Sequence, residues 1–139
     1  MNVRIGCSGW SYEAWEGLFY SLNEKEKLKF YSRYFDTVEV DSTFYSFPSS
    51  FHVQAWLKNT PEDFLFTLKI PKLITHEKKL SEDSLTDLNR FLAILEPLKP
   101  KLGILLIQLP PSFKKERYFD RFENFIQSLN SEYSWAVEF

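Results

Sequence analysis

What most limits the folds open to this chain is an alternation: short apolar runs of strand length recur with amphipathic stretches between them. The runs are Val3 to Cys7, Thr37 to Asp41, Phe64 to Ile70, Gly103 to Leu109 and Trp135 to Phe139. Such alternation specifies consecutive βα units, because parallel neighbours need a crossover long enough to hold a helix.

The intervening stretches carry the helical period. Asn23-Glu24-Lys25-Glu26 predicts a capped helix start followed by apolar Leu28, Tyr31 and Phe35. Phe51 to Asn59 puts Val53, Trp56 and Leu57 on one face, and Pro61 helps to end it. Leu85, Leu88, Leu92 and Leu95 follow Ser81-Glu82-Asp83 and stop before Pro97, while Tyr118, Phe122, Phe125 and Leu129 mark a last helix after Pro110-Pro111-Ser112. Five strands and four helices suit an open doubly wound sheet or the first part of a (β/α)8 barrel, which takes roughly 250 residues when complete. No glycine fingerprint supports the first option.

The 139 residues are enough for one domain, and 44% hydrophobic with 18% aromatic content supplies its core. Seventeen Lys plus Arg against nineteen Asp plus Glu give a net charge of -2, so no whole-domain footprint for nucleic acid is expected. The single Cys7 cannot form an intrachain disulfide, which favours a reducing compartment. The start carries no apolar signal core, and the longest aliphatic run, Ile104 to Ile107, is too short to span a bilayer. The expectation is a cytoplasmic protein with neither membrane nor nucleic acid as partner.

Side chains alternate along a strand, so one face of each strand meets the covering helices and the other the barrel interior. Val38 and Val40 suit the helix side and leave Glu39 and Asp41 inward; Phe66, Leu68 and Ile70 leave Leu65, Thr67 and Lys69 inward. The same rule turns Gln108 and Glu138 inward, and Arg4, Gly6 and Ser8 in the first strand. The inward set is polar at the C-terminal ends of the strands, where barrel enzymes keep their sites. Two readings stay open: a functional pocket, or an ion-pair layer joining Arg4 or Lys69 to the carboxylates, since buried charges must be paired.

The loops add Trp10, Tyr12 and Trp15, then Thr43, Phe44 and Tyr45, then Thr75 and His76. These would rim a pocket, as stacking partners for a ligand or as packing for the loops themselves. The candidate catalytic residues are Glu39 or Glu138 as general base, Lys69 as electrostatic stabiliser and His76 as acid or base. The candidate ligand-binding residues are Ser8, Trp10, Tyr12, Asp41, Tyr45 and Gln108. His76, Glu39, Asp41 and Glu138 are the whole stock of metal ligands there, so a metal is only weakly supported, no metal site is assigned and the cofactor is left unknown. Cys7 and His52 read as packing and surface residues. Phosphate-binding loops and the Gly-x-Ser-x-Gly elbow are absent from the chain.

Several segments together resemble the YecE-like proteins, the domain of unknown function 72. They are Gly6-Cys7-Ser8-Gly9-Trp10 with Tyr12 and Trp15, Phe35 to Tyr45 and Trp56 with Thr60-Pro61. Phe64 to Pro71, Ile74-Thr75-His76, Gly103 to Pro111 and Ala136-Val137-Glu138-Phe139 complete the set. The resemblance implies a TIM-barrel-like fold, similar in outline to the xylose isomerase and endonuclease IV barrels, and no settled activity. Asp41 stands where the family is expected to have Asn, and adds a negative charge. The resemblance also implies that 1–139 is the N-terminal part of one barrel domain, truncated after its fifth strand and short of roughly three βα units.

The open edges so left predict self-association or a separately encoded C-terminal part. The function expected is an enzyme acting on a small polar or phosphorylated compound, with a metal-assisted hydrolase or isomerase suggested by fold analogy. The alternatives are a non-catalytic ligand- or protein-binding module and an inactive truncated product.

Overall fold

The computed structural model describes residues 3–139, which form an α/β fold around a four-stranded parallel sheet. The strands are β1 (Thr37–Val40), β2 (Leu65–Lys69), β3 (Leu102–Gln108) and β4 (Ser134–Glu138), in the order β1-β2-β3-β4. Sequential neighbours in a parallel sheet are what repeated βα units produce, and an incomplete TIM-like barrel is consistent with this arrangement.

The first sequence-predicted strand, Val3 to Cys7, does not form a ladder. It runs beside β1 and joins it through one parallel bridge between Ser8 and Glu39, where the Glu39 amide donates to the Cys7 carbonyl at 3.0 Å and the Gly9 amide to the Glu39 carbonyl at 2.8 Å. Gly6 is required at this approach, since a side-chain carbon there would run into the Thr37 carbonyl. The buried Tyr31 hydroxyl ties the two together. It accepts from the Cys7 amide at 2.7 Å and donates to the Thr37 carbonyl at 3.0 Å. Val3 and Ile5, read as helix-facing, are instead 75% and 71% exposed.

The helices are α1 (Lys27–Tyr31), α2 (Ser42–Tyr45), α3 (Ser50–Lys58), α4 (Ser84–Leu95) and α5 (Lys115–Gln127). The expected Asn cap is corrected: Asn23 adopts a left-handed φ of 66°, and α1 starts only at Lys27. Helix α3 is capped by Ser49, whose hydroxyl accepts from the His52 amide at 3.2 Å. Helix α4 buries Leu88, Phe91, Leu92 and Leu95, one stripe at helical spacing, and a 3-10 helix, Glu96–Lys101, carries the chain into β3. Short elements too brief to show a period also appear: α2, a 3-10 turn at Glu13–Trp15 and a π-helical turn at Leu73–Glu77.

The face of the sheet under the helices is the core. Val38, Val40, Phe66, Leu68, Leu105 and Ile107 are all buried there, as the alternation predicts. The opposite face is half-open, with Glu39, Thr67, Lys69 and Leu106 partly accessible and Ile104 exposed. Between Phe66 and Leu68 the register with β3 shifts by one residue, beside Gly103, where a side-chain carbon would sit 3.3 Å from the Phe66 carbonyl oxygen. Lys101, with no counterpart in the sequence reading, is buried against the end of α3 and donates to the Leu57 and Thr60 carbonyls at 2.9 and 2.8 Å. It satisfies carbonyls that the helix end leaves unpaired.

Candidate functional site

The parallel order puts the C-terminal ends of β1 to β4 on one side of the molecule, so the inward residues at those ends become neighbours. Lys69, the last residue of β2, reaches across to the end of β1. Its Nζ lies 2.7 Å from Asp41 Oδ1 and 3.3 Å from Glu39 Oε1. Ser8 closes the group from the N-terminal segment, its hydroxyl donating to Asp41 and, at 3.4 Å, to Glu39. These four residues come from three backbone segments and are held by the sheet itself.

Support comes from below. The buried Thr43 hydroxyl lies 2.9 Å from the Val40 carbonyl oxygen and 2.8 Å from that of Lys69, pinning α2 to the ends of β1 and β2. Burial works to raise the Asp41 carboxyl, but the Lys69 ammonium and the Ser8 hydroxyl outweigh it and hold it below the usual carboxylate range. Burial likewise works to lower Lys69, and Asp41 and Glu39 outweigh it, so the ammonium is held more firmly than an ordinary lysine. At neutral pH Asp41 and Lys69 are both charged. The Lys69 side chain retains 18% exposure, and Glu39 and Asp41 retain 30% and 38%. A small cavity of about 210 Å³ borders the group, lined by Gly6, Cys7, Ser8, Thr37, Glu39 and Thr67 among others.

A second pair sits two strands away, where Gln108 Nε2 donates to Glu138 Oε1 at 3.0 Å across the β3–β4 register. His76 lies in the turn after β2. Its Nδ1 is 2.9 Å from the Thr75 hydroxyl, and its ring meets Phe44 edge-on at 4.9 Å. Burial first, then the Lys72 and Lys79 charges, lowers the His76 pKa, so the imidazole is neutral at neutral pH.

The remaining sequence-predicted residues are scattered. Arg4 takes no part in the charged layer; it binds the Asp36 carboxylate at 3.3 Å and the Asp63 carbonyl at 2.9 Å. Trp10 lines a depression with Leu28 of α1, Trp56 of α3 and Asn59 just past the end of α3, and its carbonyl accepts from Tyr20. Tyr12 packs on Trp15 at 4.7 Å, and Tyr45 is 70% exposed beside Phe44. Among the described residues, no three or more of His76, Glu39, Asp41, Glu138 or other His, Cys, Asp and Glu side chains are gathered to hold a metal ion. Cys7 is half-buried against the core and His52 is exposed. Sequence reasoning missed Thr43 as a brace and Lys78 and Lys101 as ion-pair and capping residues, because their roles depend on partners that only the fold brings near.

Sequential parallel βα units with a charged group at the strand ends define this as an α/β protein, consistent with part of a TIM-like barrel. The chain belongs to the family described as protein of unknown function DUF72, which matches residues 4–139. It is 33% identical over 138 residues to the UPF0759 protein YecE of Escherichia coli K12, covering 98% of this chain and 47% of that protein. It is 32% identical over 122 residues to the UPF0759 protein YunF of Bacillus subtilis 168, covering 82% of this chain and 43% of that protein.

Among solved structures, a DUF72 family protein of Thermotoga maritima MSB8 superposes with a TM-score of 0.77 at 35% identity, covering 98% of this chain and 55% of that one. A DUF72 family protein of Enterococcus faecalis V583 shares the fold, with a TM-score of 0.65 at 23% identity over 96% of this chain and 50% of that one. The chain thus spans about half the length of the curated relatives it matches. Among the described residues no helix is long and apolar enough to cross a membrane.

Proposed function

We propose that the strand-end group is a reaction site for a small polar compound, with Glu39 as general base and Lys69 as the positive charge that stabilises developing negative charge. The observation that carries this reading is the bracketing of Lys69 by Asp41 at 2.7 Å and Glu39 at 3.3 Å on the open side of the sheet. Gathering three charges at a partly desolvated strand end adds little to stability, since the cost of removing them from water offsets most of their attraction. Such a grouping fits chemistry better, where a fixed ammonium and a nearby carboxylate divide the work of charge stabilisation and proton transfer.

Asp41, itself held by the Ser8 hydroxyl, fixes the ammonium, Glu138 and Gln108 offer a second carboxylate and an amide to the ligand, and His76 serves as neutral acid or base. Glu39, Asp41 and Glu138 against Lys69 leave an excess of negative charge. A polar, uncharged compound therefore suits the site better than a phosphorylated one.

The test is a thermal-shift screen of polar metabolites followed by turnover assays of every stabilising compound. Catalysis predicts product formation that disappears in folded Glu39→Gln and Lys69→Met proteins. Stabilisation without product would instead identify a non-catalytic binding module, and turnover that survives both substitutions would refute the assignment.

A further inference from the structure

The segment after β2 is built in an unusual way. Leu73–Glu77 is a π-helical turn, a rare conformation frequently found at functional sites. It is followed by two consecutive non-glycine residues in the left-handed region, Lys79 at φ 49° and Leu80 at φ 55°. Side chains there clash with the following carbonyl, so such residues persist only where the surroundings over-determine them.

The surroundings do so here. Leu80 and Ile74 are buried in the core, the Lys78 amide donates to the Leu73 carbonyl at 2.9 Å, and the Leu80 amide donates to the Ile74 carbonyl at 3.1 Å. Lys78 then reaches over the start of α4. Its Nζ lies 2.7 Å from Asp83 and 2.8 Å from Asp87, whose Oδ2 is sequestered from solvent in an ion pair off the line of a hydrogen bond. Lys79 Nζ donates to Ser112 at 3.0 Å and lies over the Tyr118 ring.

The imidazole of this turn is His76, set between the Thr75 hydroxyl and the edge of Phe44. Nδ1 is engaged by Thr75, which leaves Nε2 as the nitrogen available to a ligand. We infer that Lys78 is a positioning residue, which clamps the strained turn onto α4 through Asp83 and Asp87 and thereby holds the His76 imidazole in place. The inference rests on the reading of the strand ends as a functional site, but its test requires neither ligand nor turnover.

The groups facing His76 are Thr75, Phe44, Lys72 and Lys79, and its burial among them depresses its titration. Release of the turn would expose the ring and move its titration upward, towards the ordinary imidazole value. The chain has two histidines, so proton NMR of the imidazole Cε1 signals reads His76 directly, with the exposed His52 as internal control.

Two perturbations break the clamp from opposite sides: Lys78→Met, and Asp83→Asn with Asp87→Asn. Loss of position shifts His76 upward in both, and Lys78→Arg restores the wild-type curve. A through-space charge effect would instead shift it upward when the lysine is removed and downward when the carboxylates are removed. Opposite shifts, or unchanged titration in both, would overturn the inference while leaving the proposed site standing. Asp83→Asn alone alters an exposed carboxylate, and its upward shift carries the test if the other variants do not fold.

Discussion

Lys69→Met removes the ammonium that lies 2.7 Å from Asp41 and 3.3 Å from Glu39, and leaves two carboxylates side by side next to Ser8. Breaking a fully buried ion pair costs about 3–5 kcal/mol. Here the carboxylates keep 30% and 38% exposure, and solvent screening brings the expected loss at pH 7 down to about 1–2 kcal/mol.

The pH dependence follows from the two shifts. The Asp41 pKa is depressed in the folded protein, so its stabilising contribution is present above the unfolded value of 3.8 and lost as pH falls through the folded one. The Lys69 pKa is raised, so its contribution is complete below 10.5 and lost as pH rises through the folded value. In the variant the Ser8 hydroxyl still favours the charged carboxylates, but burial and their mutual repulsion are no longer offset by the ammonium, and acidification relieves both. The stability gap between wild type and Lys69→Met therefore narrows from pH 7 to pH 4. Urea unfolding followed by tryptophan fluorescence at both pH values measures it. A variant within about 0.5 kcal/mol of wild type at pH 7 would refute the reasoning, as would a gap that widens at pH 4.

Gly6→Ala forces a side chain into the Thr37 carbonyl, and displacement of the Cys7–Gly9 segment from β1 should cost roughly 1–3 kcal/mol in denaturant unfolding. Hydrogen exchange should show the Glu39 and Gly9 amides losing protection first. The half-open sheet face and the exposed Val3, Ile5, Ile104 and Phe139 lead to an expectation of self-association, read by light scattering as a mass above that of one chain. A monodisperse monomer across concentrations would contradict that expectation.

Much of the architecture is legible in the sequence because burial on one face imposes a period. Thr37 to Asp41 and Gly103 to Leu109 match β1 and β3 within one residue at each end, and the buried sets of α3 and α4 follow their apolar spacing. The same alternation places Glu39 and Lys69 on the open face, where they pair. It fails where no period exists. Val3 to Cys7 has the composition of a strand, but composition does not report whether a neighbour is present on each side, and this segment pairs through a single bridge. Asn23 carries the chemistry of a cap and is used for a left-handed turn instead, which Asn tolerates better than most residues. Trp10 was expected at the pocket rim and lines a depression beside α1 and α3, since an aromatic loop residue serves packing as readily as binding. Lys78 and Lys101 are surface lysines by composition. Their carboxylate and carbonyl partners come from other elements, and no local pattern announces them.

The most direct test of the central claim is isothermal titration of the most strongly stabilising polar compound into wild type, Glu39→Gln, Lys69→Met and a His52→Ala control, each shown to be folded. The account predicts at least a roughly tenfold loss of affinity, about 1.4 kcal/mol, in the two cluster variants and wild-type binding in the control. Affinity and turnover both unchanged in the cluster variants would contradict it and reduce the Lys69 group to an ion-pair layer that only braces the sheet.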